Sequence, residues 1–275
     1  MKQLLIIGFI AILSGFAACG WQGDTVATAD APQKQPDELT EPPAGVKKAP
    51  VLVELFTSEG CSSCPPADKA LAFLENEQPY AQAEIITLAL HVDYWNNLGW
   101  KDEYSSPLFS QRQTVYAQRL RLDSTYTPQM VVDGRLQFVG SNLGEAGKAI
   151  TEAAKSPKAN IETVLNENSL KIIISAVPKH ENATVFLAIA EDNLASNVKR
   201  GENAGKNLEH ISVVRELKAI GKIEANSDNY EQDAALALQP DWKKENLKFV
   251  VFIQENESRK ILGIEKTLLN KREKL

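Results

Sequence analysis

The sequence predicts an α/β domain followed by an antiparallel, β-sandwich-like domain. Three observations predict it. A short apolar run ends at two cysteines that open an apolar-striped helix. A proline-led run folds back at Asp133-Gly134 ahead of another helix. Beyond Asn160 the pattern changes to short strands separated by turn residues.

Val51-Leu52-Val53-Glu54-Leu55-Phe56 is mostly branched or aromatic and reads as a strand buried on both faces. Thr57-Ser58-Glu59-Gly60 turns the chain into Cys61-Ser62-Ser63-Cys64. Pro65 and Pro66 suit a first helical turn, where an amide has no intrahelical partner anyway. Ala67, Ala70, Leu71 and Leu74 then share one helical face. Residues 84–94 form the next strand, and Trp95 to Trp100 a loop at its carboxyl end, the edge where sites gather in α/β sheets. Residues 107–121 read as a crossover helix with Phe109, Arg112, Tyr116 and Leu120 on one face, and with the charges of Arg112, Arg119 and Arg121 in solvent. Pro128 starts a strand, a position proline tolerates. The hairpin returns through residues 136–140, and a helix over 143–154 turns Ala146, Ala149, Ile150 and Ala153 inward. Strands follow at 170–177, 184–190, 211–217, 234–238, 247–254 and 261–268, with a domain boundary near Ser156-Pro157.

Ahead of these elements, Lys2 precedes an apolar run over residues 4–13, too short to span a bilayer but fitting a signal peptide. Phe16-Ala17-Ala18-Cys19 resembles the lipobox of bacterial lipoproteins, with Phe16 in place of the preferred Leu. That resemblance implies removal of residues 1–18, a lipid on Cys19 and a membrane anchor on the periplasmic side or surface of a bacterial envelope. The alternative is a plain secretory signal. Both put the chain where disulfides persist. Residues 19–49 carry scattered charges and Pro32, Pro36, Pro42 and Pro43, and read as a flexible tether. The folded segments are then 50–156 and 157–275.

Charge and composition narrow the function. Lys plus Arg is 30 against 36 Asp plus Glu, a formal net charge of -6, so no basic surplus exists for broad nucleic-acid binding. Three cysteines are too few for a disulfide-stapled scaffold, and three histidines leave little for a His-rich metal site.

The chemistry centres on Cys61 and Cys64. At a helix start, unpaired amides and the helix dipole favour a thiolate. Cys61 is the candidate nucleophile on a protein or peptide disulfide, and Cys64 the resolving thiol. Two other uses stay open for the pair: an inert structural disulfide, or a copper site of Cys61, Cys64 and His91, since soft thiolates and an imidazole suit Cu(I). A four-thiolate zinc site fails for want of a second CxxC. Otherwise no cofactor is expected. His91 and Asp93 share a strand face near the thiols and could shuttle a proton; the plainer reading is a buried histidine and a loop-capping aspartate. Trp95, Trp100 and Tyr126 are candidates to line a substrate groove. Arg200-Gly201-Glu202-Asn203-Ala204-Gly205-Lys206-Asn207 is not a phosphate loop, because its glycine spacing is short and Asn207 stands where Ser or Thr is needed. A long loop folded over the redox site fits it better, and His210 beyond it reads as structural.

Together, the strand 51–56, the CxxC, Thr127-Pro128 and the closing hairpin with its helix resemble the thioredoxin superfamily. The resemblance implies that Pro128 is cis beside the thiols and that Thr127 faces substrate. It also implies that Glu54, displaced by one residue from the superfamily's buried acid, could take a proton from the resolving thiol; the alternative is a partly exposed strand residue. Ser62-Ser63 in place of Gly-Pro and a long insertion over 95–125 depart from ordinary thioredoxins. A more specific resemblance runs over most of residues 50–266. The blocks Glu54 to Asp68, His91-Val92-Asp93-Tyr94-Trp95, Thr125 to Gln129 and Arg200-Gly201-Glu202-Asn203 are similar to a secreted bacterial family, domain of unknown function 1223. That family implies a thioredoxin-like domain without fixing a substrate.

Overall fold

The computed structural model describes residues 48–269. The predicted signal peptide, Cys19 and nearly all of the tether lie outside the described residues. In chain order the first half holds β1 (Ala49–Thr57), α1 (Pro65–Glu77), β2 (Ala83–His91), α2 (Pro107–Arg119), β3 (Gln129–Val132), β4 (Leu136–Val139) and α3 (Leu143–Ala153). This is the predicted order. The second half holds β5 (Asn160–Leu165), β6 (Ser169–Ser175), β7 (Ala183–Glu191), β8 (Leu194–Asn197), β9 (Asn207–His210), β10 (Val213–Ile223), β11 (Tyr230–Ala235), β12 (Leu247–Glu255) and β13 (Ile261–Leu268). Strands β5, β8 and β9 carry little apolar alternation, which is why the sequence pattern passes over them.

An α/β portion is followed by antiparallel, sandwich-like structure, and the two share a sheet. Eight strands run in the order β13-β12-β7-β10-β2-β1-β3-β4. β1 and β2 are parallel, while β3 and β4 close the edge as an antiparallel hairpin. Gly134 in its turn has φ +71°, and a Cβ there would strike the carbonyl of Arg259, so glycine is required. At the seam, β2 meets β10 in a single register pair, Ala89 with Val213, beside an Ala89 N–H bond to the Ser212 carbonyl (2.8 Å). The expected boundary near Ser156-Pro157 falls between α3 and β5.

Alternation along β1 sorts the core. Val51, Val53 and Leu55 pack with Ala67, Leu71 and Leu74 of α1 and with Ala146 and Ile150 of α3. Leu52 and Phe56 face the other way, with Phe109 and Tyr116 of α2. In the second half, a three-stranded sheet (β11-β6-β5) brings Leu170, Ile172 and Ile174 onto Val185, Leu187, Phe249 and Val251, which makes the sandwich.

Candidate functional site

The strand-to-helix turn holds Cys61 and Cys64 as a disulfide, with Cα atoms 5.4 Å apart. Cys64 is the N-cap of α1, and its carbonyl accepts from the amides of Ala67 (2.8 Å) and Asp68 (3.0 Å). Pro65 and Pro66 follow it, so the pair sits at the positive end of the helix dipole.

Thr127-Pro128 lies alongside. Its peptide bond is cis. Two contacts tie it to the disulfide segment. Trp95 Nε1 donates to Thr127 Oγ1 (2.8 Å), while Trp95 Cβ would lie 3.1 Å from a Cβ on Gly60. Gly140 sits between Pro128 and Ala67, where a Cβ would come within 3.1 Å of Ala67 and 3.4 Å of Pro128. Trp95 and Thr127 are part-exposed. Tyr126 points elsewhere, its hydroxyl donating to Gln137 Oε1 (2.6 Å).

Both cysteines are 0% exposed. A strap over residues 198–206, between β8 and β9, contributes to this cover. The Asn203 amide donates to the carbonyls of Glu59 (2.8 Å) and Cys61 (2.9 Å), and Glu202 accepts from Ser62 N (3.0 Å). The loop predicted to fold over the thiols does so.

Beneath the turn lies a cluster of titratable groups that the sequence reading largely missed. His91 Nδ1 is 2.7 Å from Asp102 Oδ2, and that oxygen also accepts from Glu59 N (2.9 Å). His210 Nε2 is 3.2 Å from Glu59 Oε1, and Trp100 Nε1 donates to Glu59 Oε2 (2.6 Å). The two imidazoles meet edge to face at 4.9 Å. His91 Nε2 is buried without a hydrogen-bond partner among the described residues. Asp68, four residues after Cys64 on α1, accepts from the Thr57 hydroxyl (2.8 Å). Burial pushes the Asp68 carboxyl up, against the pull of His210 and His91. Burial also opposes charge on His91, but Asp102, with Asp68 and Glu59 near, outweighs it and raises the imidazole's pKa. In Asp102 burial raises and the His91 charge lowers; the second wins. His91 is thus a buried imidazole, but its aspartate is Asp102. Asp93 instead accepts from Ser110 Oγ of α2.

Three sequence expectations need correction. Glu54 is on the β1 face turned toward α2, whereas α1 packs on the other face. Its carboxylate takes Arg112 Nε (2.6 Å) and Nη2 (3.1 Å) and the Tyr116 hydroxyl, so it is not placed to serve Cys64. Arg112 is accordingly not in solvent: its side chain is 10% exposed, and Glu54 holds its pKa above the ordinary value despite burial. The copper alternative also lacks its ligand set. Among the described residues no three His, Cys, Asp or Glu side chains are grouped to hold a metal ion.

Fold and site define an α/β protein with a CxxC disulfide at a helix start and an antiparallel β extension. The chain belongs to the family described as protein of unknown function (DUF1223), whose match spans residues 52–254. The crystal structure of a structural-genomics target from Agrobacterium tumefaciens is 26% identical, with a TM-score of 0.67, covering 82% of this chain and 96% of its own. A domain of the outer membrane lipoprotein Omp28 from Porphyromonas gingivalis is 16% identical over 42% of this chain and 89% of its own, with a TM-score of 0.27, a likeness too slight to argue from. No curated protein matches the chain in sequence.

Proposed function

We propose that the protein is a thiol-disulfide oxidoreductase of the bacterial cell envelope, anchored through lipid on Cys19 and acting on protein or peptide disulfides. The observation that carries this reading is the disulfide at the start of α1, flanked by part-exposed Trp95 and Thr127. In the reduced protein the Cys61 thiolate attacks a substrate disulfide. One S–S bond breaks, a mixed disulfide forms, and one substrate sulfur leaves to take a proton. Cys64 then attacks Cys61, releasing the second substrate sulfur as thiol and re-forming the Cys61–Cys64 bond. Two electrons pass to the substrate; run backward, the same steps oxidise a dithiol. Asp68, on the α1 face of Cys64, is the group proposed to exchange the Cys64 proton. The strap at Glu202 and Asn203 has to lift for Cys61 to meet a substrate.

One observation favours a second reading, an inert structural disulfide: neither cysteine is exposed. Insulin reduction driven by a small dithiol separates the two. The parent should accelerate it, Cys61→Ser should not, and Cys64→Ser should accumulate a mixed disulfide. Equal rates for parent and Cys61→Ser would leave the structural reading standing.

A further inference from the structure

The face of the sheet away from α1 carries a pocket of about 270 Å³ between α2 and strands β7, β10 and β12. Its walls include Leu108, Val115, Phe186 and Leu217, and Arg112 and Arg259 line it as well. The two guanidiniums differ in what balances them. Arg112 is fully engaged by Glu54, by Tyr116 (3.0 Å) and by Gln254 Oε1 (3.1 Å). Arg259, in the turn after β12, has its Nε buried without a hydrogen-bond partner among the described residues. The neighbouring carboxylates are committed: Glu54 pairs with Arg112, and Glu257 with Arg119 at the surface. Burial, with the charges of Arg112 and Arg119, holds the Arg259 pKa below its ordinary value, while Tyr116 and Glu257 pull it the other way. A buried donor without a partner is costly unless an acceptor meets it, and an anion suits a guanidinium best. The apolar walls ask for more than an inorganic anion, because Leu108 is 60% exposed at the rim and hydrocarbon would cover it.

We propose that this pocket binds an aliphatic monocarboxylate of the medium-chain fatty-acid class, with its carboxylate on Arg259 and its chain along Leu108, Val115, Phe186 and Leu217. The site is independent of the disulfide. Calorimetric titration of the full chain with octanoate, octanol, acetate and inorganic phosphate tests it. Octanoate should bind at least tenfold more tightly than each of the other three. Arg259→Gln should weaken octanoate at least tenfold, Arg259→Lys should weaken it less, and Leu217→Gln should weaken octanoate while leaving acetate unchanged. Octanol equal to octanoate would reduce the pocket to an apolar patch. Phosphate equal to octanoate would reduce it to an anion site. Either result, or octanoate affinity unchanged in folded Arg259→Gln, overturns the proposal.

Discussion

Two acids on opposite sides of β1 have opposite surroundings. Glu54 is gripped by Arg112 through both oxygens, with the Tyr116 hydroxyl added; its charge is matched and its lone pairs are used. Asp68 has one hydroxyl donor, Thr57, and two imidazoles near but not bonded to it. A carboxylate gripped by a cation through both oxygens serves as a structural tie. One without such a match holds its proton more readily and can trade it. On the proposed mechanism, the acid that lacks a matched cation is the one free to carry a proton.

The largest expected effect breaks the first half of the contrast. Glu54→Gln leaves Arg112 buried without its carboxylate and should cost about 3–5 kcal/mol in urea unfolding, with disulfide exchange in the folded variant at the parent rate. Stability near the parent's would make Glu54 dispensable and dissolve the contrast. Glu75 sharpens it, being a second matched acid, on α1 itself. Lys248 (3.0 Å) and Lys266 (2.9 Å) donate to Glu75 Oε1, and the Thr87 amide (3.1 Å) and hydroxyl (2.8 Å) to Oε2. Burial opposes its charge, but the two lysines hold its pKa at about 2, against 4.5 unperturbed. A lowered carboxylate stabilises above its unfolded value and loses that contribution as pH falls through the folded one. The parent should therefore lose about 3 kcal/mol between pH 4.5 and 2 through this group, and Glu75→Gln should lack that slope. An identical slope in the variant would refute the assignment.

The smallest expected effect on stability belongs to Asp68. Its folded value is raised, so the folded state holds the proton more tightly than the unfolded chain does. Stability then falls as pH climbs from the unfolded value of 3.8 through the folded one. Asp68→Asn should match or exceed the parent's stability at pH 7, yet slow thiol exchange roughly a hundredfold and flatten its pH profile. A destabilised variant with normal exchange would make Asp68 another tie like Glu54.

The sequence disclosed the strand, the CxxC, the helix, the hairpin and the order of the first half, because each rests on neighbours in the chain. It misplaced the acid because both faces of β1 are apolar, so alternation alone does not say which face α1 covers. Asp68 was within reach: four residues from Cys64 on a helix means a shared face. Asp102, Glu59 and His210 were not, since loops folding back across the turn bring them together. The strap was legible as a loop over the thiols, but the bonds of Asn203 to Glu59 and Cys61 span more than 140 residues. The joined sheet was hidden because a strand's partner is not written in its own periodicity.

That joined sheet bears on how the protein can be dissected. With one register pair at the seam, much of the join is carried by side chains: Lys248 Nζ to Ser212 Oγ (2.6 Å), Ser212 to Thr87 (2.6 Å), and Lys248 to Glu75. A fragment cut after Ser156 would bare the margin of β2, an invitation to foreign strands. It would strip Glu75 of both lysines and remove the cover of the sulfurs in one stroke. The cysteine-bearing half is no portable cassette, and transplanting it alone would yield an aggregating torso rather than a small redox module.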